Sequence, residues 1–245
     1  MSNIDYDHSK NIHTLSGPRV ALPVILGEIK PRSLLDVGCG IGTWLKAALE
    51  SGITDVFGVD GIAVAPENFL VAKTLFRQQD LNQTWSLGRR FEVALCLEVA
   101  EHLDAQFAGN LIEALTLHAD TVIFGAACPG QGGQHHVNCQ WPVYWQKMFN
   151  ERGYVCSDEI RWKIWQDERI EPWYRQNIFT ARRDPAKAGH EPGILPVVHP
   201  DILKLMTQDE FSKNIDRIAE GALPFKWYWV SFPKVFLKKV AGKFK

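Results

Sequence analysis

Short apolar runs alternate with amphipathic segments over most of the chain. Apolar runs that end at glycine or at acidic residues, as at 33–37 and 91–97, are typical of buried parallel strands. Between such runs, apolar residues recur at helical spacing, as they do from Trp44 to Leu49 before Gly52. Strands that alternate with helices predict an α/β fold with a mostly parallel sheet covered by helices on both faces.

The same pattern locates the individual elements. The predicted strands span 33–37, 55–59, 74–78, 91–97, 121–126, 154–157 and 176–181. The predicted helices span 18–29, 44–49, 101–118, 141–152 and 201–221. Seven strands in 245 residues suit one α/β domain with appendages better than two full domains.

Changes in composition divide the chain into four predicted regions. We expect a polar leader at 1–17, the α/β domain at 18–183, a linker at 184–200 and a helical, basic and aromatic extension at 201–245. The linker is predicted from its four prolines and two glycines. The end of the extension is rich in Trp, Phe and Lys and has no acidic residue after Phe225.

Charge and cysteine content exclude several classes of protein. The net charge of −1 argues against sequence-independent binding to nucleic acid, which needs a basic face. The five cysteines are odd in number and contain no C-x-x-C pair, which favours reduced thiols over disulfides or a zinc site. The charged N-terminus and the lack of a long apolar stretch predict neither a signal peptide nor a membrane span. We therefore expect a cytoplasmic protein.

The turn after the first predicted strand reads D-V-G-C-G-I-G, from Asp36 to Gly42. Glycines permit a sharp strand-to-helix turn and let a ligand touch the main chain. Dinucleotide-binding proteins space these glycines G-x-G-x-x-G. This chain has G-x-G-x-G instead, with Thr43 where the third dinucleotide glycine would fall. The spacing disfavours a nicotinamide-dependent oxidoreductase.

Four motifs at the ends of successive strands resemble those of the class I S-adenosylmethionine-dependent methyltransferases. The acidic residue followed by G-x-G-x-G resembles that family's first motif. Asp60 ends the second predicted strand, Asp80 and Leu81 follow the third, and L-E-V-A-E-H-L follows the fourth, from 97 to 103. The resemblance covers residues 33–181. It implies a Rossmann-like, seven-stranded sheet and S-adenosylmethionine as the cofactor, bound at the carboxyl ends of the strands.

The resemblance also implies which residues hold the cofactor. They are Asp36, Gly38, Gly40, Gly42, Asp60, Asp80, Leu81, Glu98 and Val99. The glycines would let the backbone approach the methionine portion, whose ammonium group faces Asp36 directly or through water. Asp60 would accept hydrogen bonds from both ribose hydroxyls, and Asp80 from the adenine amino group. Each of these acids alone also fits a helix cap or a turn.

Candidates for the acceptor side lie in G-Q-G-G-Q-H-H-V-N, from Gly130 to Asn138. Histidine titrates in the range that suits a general base. We assign this role to His136 in preference to His135, with Asn138 orienting the substrate or the imidazole. The segment resembles a glycine-rich stretch of methyltransferases in sugar and cell-surface glycan biosynthesis, which implies O-methylation of a sugar or another small hydroxyl acceptor. Both histidines also fit an ordinary polar loop.

Trp141, Tyr144 and Trp145 are predicted to share one helical face. This face is either a wall on which a sugar ring stacks or a part of the core. The sequence predicts no metal. Glu101, His102, His135 and His136 match no defined ligand spacing, and adjacent histidines rarely bind one ion.

The lysines and apolar residues of 225–245 fit a helix that contacts anionic lipid from one side, or a helix packed on the domain. The sequence therefore leaves two alternatives for this segment, peripheral membrane contact and packing on the domain. Alternatives for the function are an amine or carboxylate acceptor, and an inactive cofactor-binding partner subunit. The sequence leaves the oligomeric state open.

Overall fold

The computed structural model describes residues 6, 14–27, 29–220, 222, 224–226, 228–230 and 233. The chain forms two compact units, residues 1–202 and residues 203–245. The first unit contains the sheet and six of the helices, and most of the last helix lies in the second unit.

A seven-stranded sheet forms the centre of the first unit. Its strands are β1 (Ser33–Val37), β2 (Asp55–Asp60), β3 (Phe76–Gln78), β4 (Val93–Leu97), β5 (Thr121–Gly125), β6 (Tyr154–Ser157) and β7 (Phe179–Arg183). They lie in the order β3-β2-β1-β4-β5-β7-β6. The first five strands pair in parallel, and β7 is antiparallel to both β5 and β6. The predicted mostly parallel, seven-stranded sheet is confirmed.

The described residues contain seven named α-helices, of which α1 precedes the first strand and the others connect or follow the strands. They are α1 (Ser16–Leu26), α2 (Thr43–Glu50), α3 (Ala108–His118), α4 (Pro142–Asn150), α5 (Glu159–Ile164), α6 (Pro172–Asn177) and α7 (Pro200–Ala219). The sequence pattern missed α5 and α6, because six residues are too few to show a helical period. A strand was predicted from residue 176. The chain there is still helical, since Pro172 begins α6 at a position that favours helix initiation.

The predicted helix over 101–118 is wrong in its first half. Ala100–His102 and Ala105–Phe107 each form one 3-10 turn, and α3 begins only at Ala108. Leu103 between the turns is extended, with φ −98° and ψ 136°, so a continuous helix cannot run through it. The first of these turns follows β4 directly and carries two side chains of the functional site.

Alternate side chains of the strands pack into two hydrophobic layers, one on each face of the sheet. Leu35 and Val37 of β1 join the layer that contains residues of α3 and α4. Leu34, their neighbour, joins the layer that contains residues of α1, α2 and α5. Helices cover both faces of the sheet, so the central strands are mostly apolar. For this reason they form continuous apolar runs in the sequence.

The segment between β7 and α7 belongs to the first unit and packs on its core. The Glu191 carboxylate accepts hydrogen bonds from Asn150 Nδ2 at 2.6 Å and from the Cys156 N–H at 2.9 Å. Ile194 is buried in the core layer of α3 and α4. His199 is also buried, and its ring lies 4.4 Å from that of Trp165.

No helix in the described part of the chain is long and apolar enough to cross a membrane. Membrane contact is predicted for residues 225–245. Within this segment, Phe225 and Trp229 are largely exposed, and their rings lie 6.1 Å apart. The lysine-rich remainder, residues 234–245, lies outside the described residues. Membrane contact therefore stays a prediction.

Candidate functional site

A cavity of about 420 Å³ opens at the carboxyl ends of β1, β2 and β4. These strands are parallel neighbours, so their ends meet at one edge of the sheet, where ligands bind in open α/β folds. We divide its lining into two parts. The strand half comprises Asp36, Gly38, Gly40, Asp60 and Leu81. The loop half comprises Glu98, Glu101, His102, Gln131 and His136.

The glycine turn brings the backbone itself to the wall of the strand half. Gly38 has a φ of +78°, and a Cβ atom placed on it would lie 2.2 Å from a methyl carbon of Val99. A side chain at this position is therefore excluded on two grounds, conformation and space. Gly42 also has a positive φ, +87°, but it serves the start of α2 and is not among the lining residues.

Asp36 is a buried acid near the end of β1, and no lysine or arginine of the described residues lines the cavity beside it. Its side chain is 2% exposed, and burial together with the charge of Asp60 raises its pKa to about 8. Its Oδ2 has no hydrogen-bond partner among the described residues. A buried acceptor without a donor costs free energy, so this oxygen fits a ligand group that donates hydrogen bonds, such as an ammonium group.

Asp60 is held rigidly at the end of β2. Its Oδ2 accepts the Gly40 N–H at 2.8 Å and its Oδ1 accepts the Ile62 N–H at 2.8 Å. Each carboxylate oxygen can accept a second hydrogen bond, so the group suits two adjacent hydroxyls. Asp80 differs: its Oδ1 accepts the Asn82 N–H at 3.0 Å, and Leu81 rather than Asp80 lines the cavity.

Glu98 is the first residue of the loop half and has an unusual backbone. Its φ is +57°, which is rare for a residue with a side chain and often marks a functional site. Its carboxylate accepts hydrogen bonds from Asn177 Nδ2 at 2.8 Å and from Gln131 Nε2 at 2.9 Å. Burial raises its pKa to about 7.

Glu101, His102 and His136 lie together beside Glu98. Glu101 is 0% exposed, and one ligand atom from each of the three residues lies within 4.8 Å of the other two. The imidazole rings of His102 and His136 meet edge to face at 5.0 Å. Burial and the neighbouring His136 lower the pKa of His102 to about 4, so His102 is neutral at physiological pH.

Of the three predicted catalytic residues, the structure brings only His136 into the cavity lining. Its Nδ1 lies 3.0 Å from the Gln131 carbonyl oxygen, and burial lowers its pKa. His135 takes a left-handed backbone conformation, with φ +49°, and is outside the lining. Asn138 is buried with its Oδ1 accepting a hydrogen bond from Gln140 Nε2 at 3.1 Å, so it contributes to the loop's own packing.

The aromatic wall is built from different residues than the sequence suggested. Trp145 is 1% exposed and packs on Phe124 in the core, because its side of α4 faces the sheet. Neither Trp141 nor Tyr144 is among the residues that line the cavity. The aromatic lining residues beside the glycine turn and the loop half are Trp44, Trp173, Tyr174 and Tyr6.

The sequence pattern did not predict α6 and did not place its aromatic residues. This helix carries Trp173 and Tyr174 to the cavity and Asn177 to the Glu98 carboxylate. Pro172, at the first helical position, was the one available signal of a helix start there. Nothing local in the sequence links these residues to β4.

Comparisons with known proteins agree with this geometry. The family model described as "Methyltransferase domain" matches residues 5–124, just under half of the chain. No curated protein matches the chain. The methyltransferase domain of bacterial CtHen1-C is 18% identical with a TM-score of 0.53, over 70% of this chain and 100% of that one.

Two further solved structures share the fold at low identity. Streptomyces venezuelae DesVI is 15% identical with a TM-score of 0.51, and the match covers 69% of this chain and 90% of that one. An O-methyltransferase family protein from Burkholderia thailandensis is 14% identical with a TM-score of 0.51, over 70% of this chain and 57% of that one.

The family match ends within β5, so it includes every strand whose end forms the strand half. The partnerless Asp36 oxygen and the close backbone approach at Gly38 fit the ammonium group and the methionine portion of S-adenosylmethionine. The cofactor contacts that the resemblance implies for these two residues stay predictions. The chain has the class I methyltransferase fold, its residues 5–124 match the methyltransferase domain family, and its cofactor is S-adenosylmethionine.

Proposed function

We propose that the enzyme methylates a hydroxyl group of a small acceptor such as a sugar, with His136 as the residue that activates the hydroxyl. The observation that carries the proposal is the contact between His136 Nδ1 and the Gln131 carbonyl oxygen, at 3.0 Å. A carbonyl accepts but cannot donate, so Nδ1 carries the proton and Nε2 keeps its lone pair. A ring nitrogen with a free lone pair in the cavity is what proton removal needs.

The cofactor supplies an electrophilic methyl group. Asp36 and Asp60 would hold its ammonium group and its ribose, while the turn at Gly38 admits it against the backbone. The loop half would orient the acceptor next to the methyl group, and this positioning itself accelerates the reaction. Trp173 offers a flat apolar face there, on which a sugar ring can stack. The proton of the acceptor hydroxyl would pass to His136 Nε2.

Substitution of His136 tests this proposal. His136→Gln should lower turnover of a hydroxyl acceptor by about 10²- to 10⁴-fold, the usual contribution of a general base. The affinity for S-adenosylhomocysteine, measured by calorimetry, should stay within about twofold, since His136 is outside the strand half. His190→Gln, at an exposed position between β7 and α7, is the matched control and should retain full turnover.

The choice of acceptor tests the other part of the proposal. A panel of hydroxyl, amine and carboxylate compounds, assayed by methyl transfer from the labelled cofactor, should show turnover with hydroxyl acceptors. Turnover confined to amines or carboxylates, or an unchanged rate in His136→Gln, would contradict the proposal.

A further inference from the structure

The loop half combines buried carboxyl groups with a lack of basic side chains. Glu98 and Glu101 are neighbours in this half, and Asp36 and Asp60 lie across the cavity. No lysine or arginine is among the described residues that line the cavity. The ammonium group of the cofactor accounts for charge in the strand half, but it leaves the loop half without a cation. Buried charges are normally paired or coordinate a metal.

Glu101 is the buried carboxyl group of the loop half with the fewest hydrogen bonds to its side chain. Its side chain is 0% exposed, and neither carboxylate oxygen has a hydrogen-bond partner among the described residues. Glu98, by contrast, receives two amide hydrogen bonds. A buried carboxyl group whose oxygens lack hydrogen-bond partners costs free energy unless a ligand binds it. The missing partner of Glu101 is thus the first observation that points to a ligand.

The two histidines supply matching ligand atoms. His102 Nδ1 is buried without a hydrogen-bond partner in the part of the chain that the structure describes. His136 uses Nδ1 toward the Gln131 carbonyl, which leaves Nε2 available. Such a contact from the second ring nitrogen is typical of metal-binding histidines, because it fixes the tautomer and the orientation of the ring.

The distances suit a single ion. One ligand atom from each residue lies within 4.8 Å of the other two. Ligand atoms at about 2.1 Å from one ion lie roughly 3–4 Å apart, so small rotations of the side chains bring all three into range. The backbone is already in place, because the Glu101 carbonyl accepts the N–H groups of Val137 and Asn138 at 2.9 and 3.0 Å.

We propose that Glu101, His102 and His136 bind one divalent transition-metal ion in the loop half. One carboxylate with two neutral imidazoles is a ligand set that suits Mn²⁺, Fe²⁺ or Zn²⁺ better than Mg²⁺, which prefers oxygen ligands. Three protein ligands on one side of an ion leave positions open for acceptor oxygens. This proposal differs from the sequence prediction of no metal, which weighed Glu101, His102, His135 and His136 by their spacing alone. The fold places the ring of His136 beside that of His102.

The consequence for the reaction rests on the proposed function. A bound ion would act as a Lewis acid that lowers the pKa of the acceptor hydroxyl, so that solvent water could take up its proton as the oxygen attacks the methyl group. His136 would then serve as a ligand, and its general-base role would apply only to the metal-free enzyme. The favoured acceptors would carry two neighbouring oxygen atoms, since such a pair can occupy two open positions at once.

Binding of Mn²⁺ alone tests the site without any assay of activity. Full-length protein is stripped with EDTA, dialysed and titrated with Mn²⁺, and the free ion is followed by electron paramagnetic resonance. We expect one saturable site per chain and a higher melting temperature with Mn²⁺. Glu101→Gln and His136→Gln should each weaken binding by more than about 100-fold, beyond the usual effect of an outer-shell partner.

Matched controls separate loss of the site from loss of the fold. Glu113→Gln, on the exposed side of α3, and His190→Gln should bind Mn²⁺ as the wild type does. Retained binding of S-adenosylhomocysteine shows that Glu101→Gln and His136→Gln are folded. Absence of saturable binding to the wild type, or unchanged affinity in both folded site variants, would overturn the proposed site.

The outcome is independent of the proposed function. Mn²⁺ binding without turnover of any hydroxyl acceptor would leave the site standing and refute the function. Equal hydroxyl turnover before and after EDTA treatment would leave the function standing and refute the catalytic role of the ion.

Discussion

The strand half and the loop half of the cavity are built in different ways. The strand half is assembled from residues at or shortly after the ends of β1, β2 and β3, such as Gly38, Asp60 and Leu81. The loop half is assembled from side chains of two separate segments, 98–102 and 131–136, and Asn177 of a third segment donates a hydrogen bond to Glu98. A turn after a buried strand is a local feature, whereas the meeting of three segments depends on the whole fold.

The two halves also treat buried acids differently. Asp60 receives two backbone N–H groups, which any sequence can supply in this geometry. Glu98 receives side-chain amides from Gln131 and Asn177, and Glu101 has no partner among the described residues. Backbone donors suit a site that always binds the same cofactor. Side-chain donors can change with the acceptor, so specificity is expected to reside in the loop half.

The largest effect is expected from a substitution in the strand half. Gly38→Ala forces a Cβ atom to 2.2 Å from Val99 at a φ of +78°. Strain and overpacking together should destabilise the protein by about 2–4 kcal/mol. The affinity for S-adenosylhomocysteine should fall at least about tenfold, because the turn must move. Chemical denaturation and calorimetry measure the two quantities.

Gly52→Ala is the matched control for this change. Gly52 has a similar φ of +91°, but nothing lies within 4 Å of a Cβ placed on it. Its cost should be limited to the conformational strain, about 1–2 kcal/mol, with cofactor affinity unchanged. Equal losses of cofactor affinity in the two variants would show that close approach at Gly38 is not the cause.

A second change tests whether the halves are independent. Asn177→Leu removes the amide that donates to Glu98 at 2.8 Å. We expect a loss of about 1–3 kcal/mol in stability, because a buried acceptor loses its donor. Acceptor turnover should fall, while affinity for S-adenosylhomocysteine stays within about twofold. A comparable loss of cofactor affinity would mean that the two halves act as one unit.

The pH dependence of Asp36 gives a third test. Folding raises its pKa from the ordinary value to about 8, so the cofactor-free protein should lose stability as the pH rises from near 4 through about 8. Binding of the cofactor's ammonium group favours the ionised acid. Binding at pH 7 should therefore release up to about one proton, measurable by calorimetry in buffers of different ionisation enthalpy.

Asp36→Asn is the corresponding variant. It should weaken cofactor binding, abolish most of the proton release and reduce the loss of stability at alkaline pH, because the amide does not ionise. Proton release that persists in Asp36→Asn would assign the ionisation to another group.

The smallest effect is expected outside the cavity. Trp141→Ala should change the KM for the acceptor by less than about twofold, as for most substitutions away from a site. Trp173→Ala, within the lining, should raise that KM several-fold. Initial rates with one hydroxyl acceptor give the KM of both variants. A larger rise in KM for Trp141→Ala than for Trp173→Ala would support the stacking role that the sequence suggested for Trp141.

Much of the fold was predictable because its signals are local. The bounds of β1 and β6 agree with the apolar pattern, since buried strands and their turns are encoded within a few residues. Local signals also gave wrong predictions for the start of α3 and for the place of Trp145. Apolar residues continue at helical spacing through Leu103, but the backbone there is extended, and α3 starts five residues later. Trp145 fits a stacking wall by spacing alone, whereas the sheet buries it.

The sequence by itself determined the glycine turn, the acids at the strand ends and hence the cofactor, because the edge of a parallel sheet places them without help from distant segments. Only the tertiary structure decided the loop half. Glu101 and His102 leave β4 on a 3-10 turn, and backbone hydrogen bonds from Val137 and Asn138 to Glu101 bring His136 to them. Those bonds join segments far apart in the chain, so no periodicity or spacing in the sequence reports them.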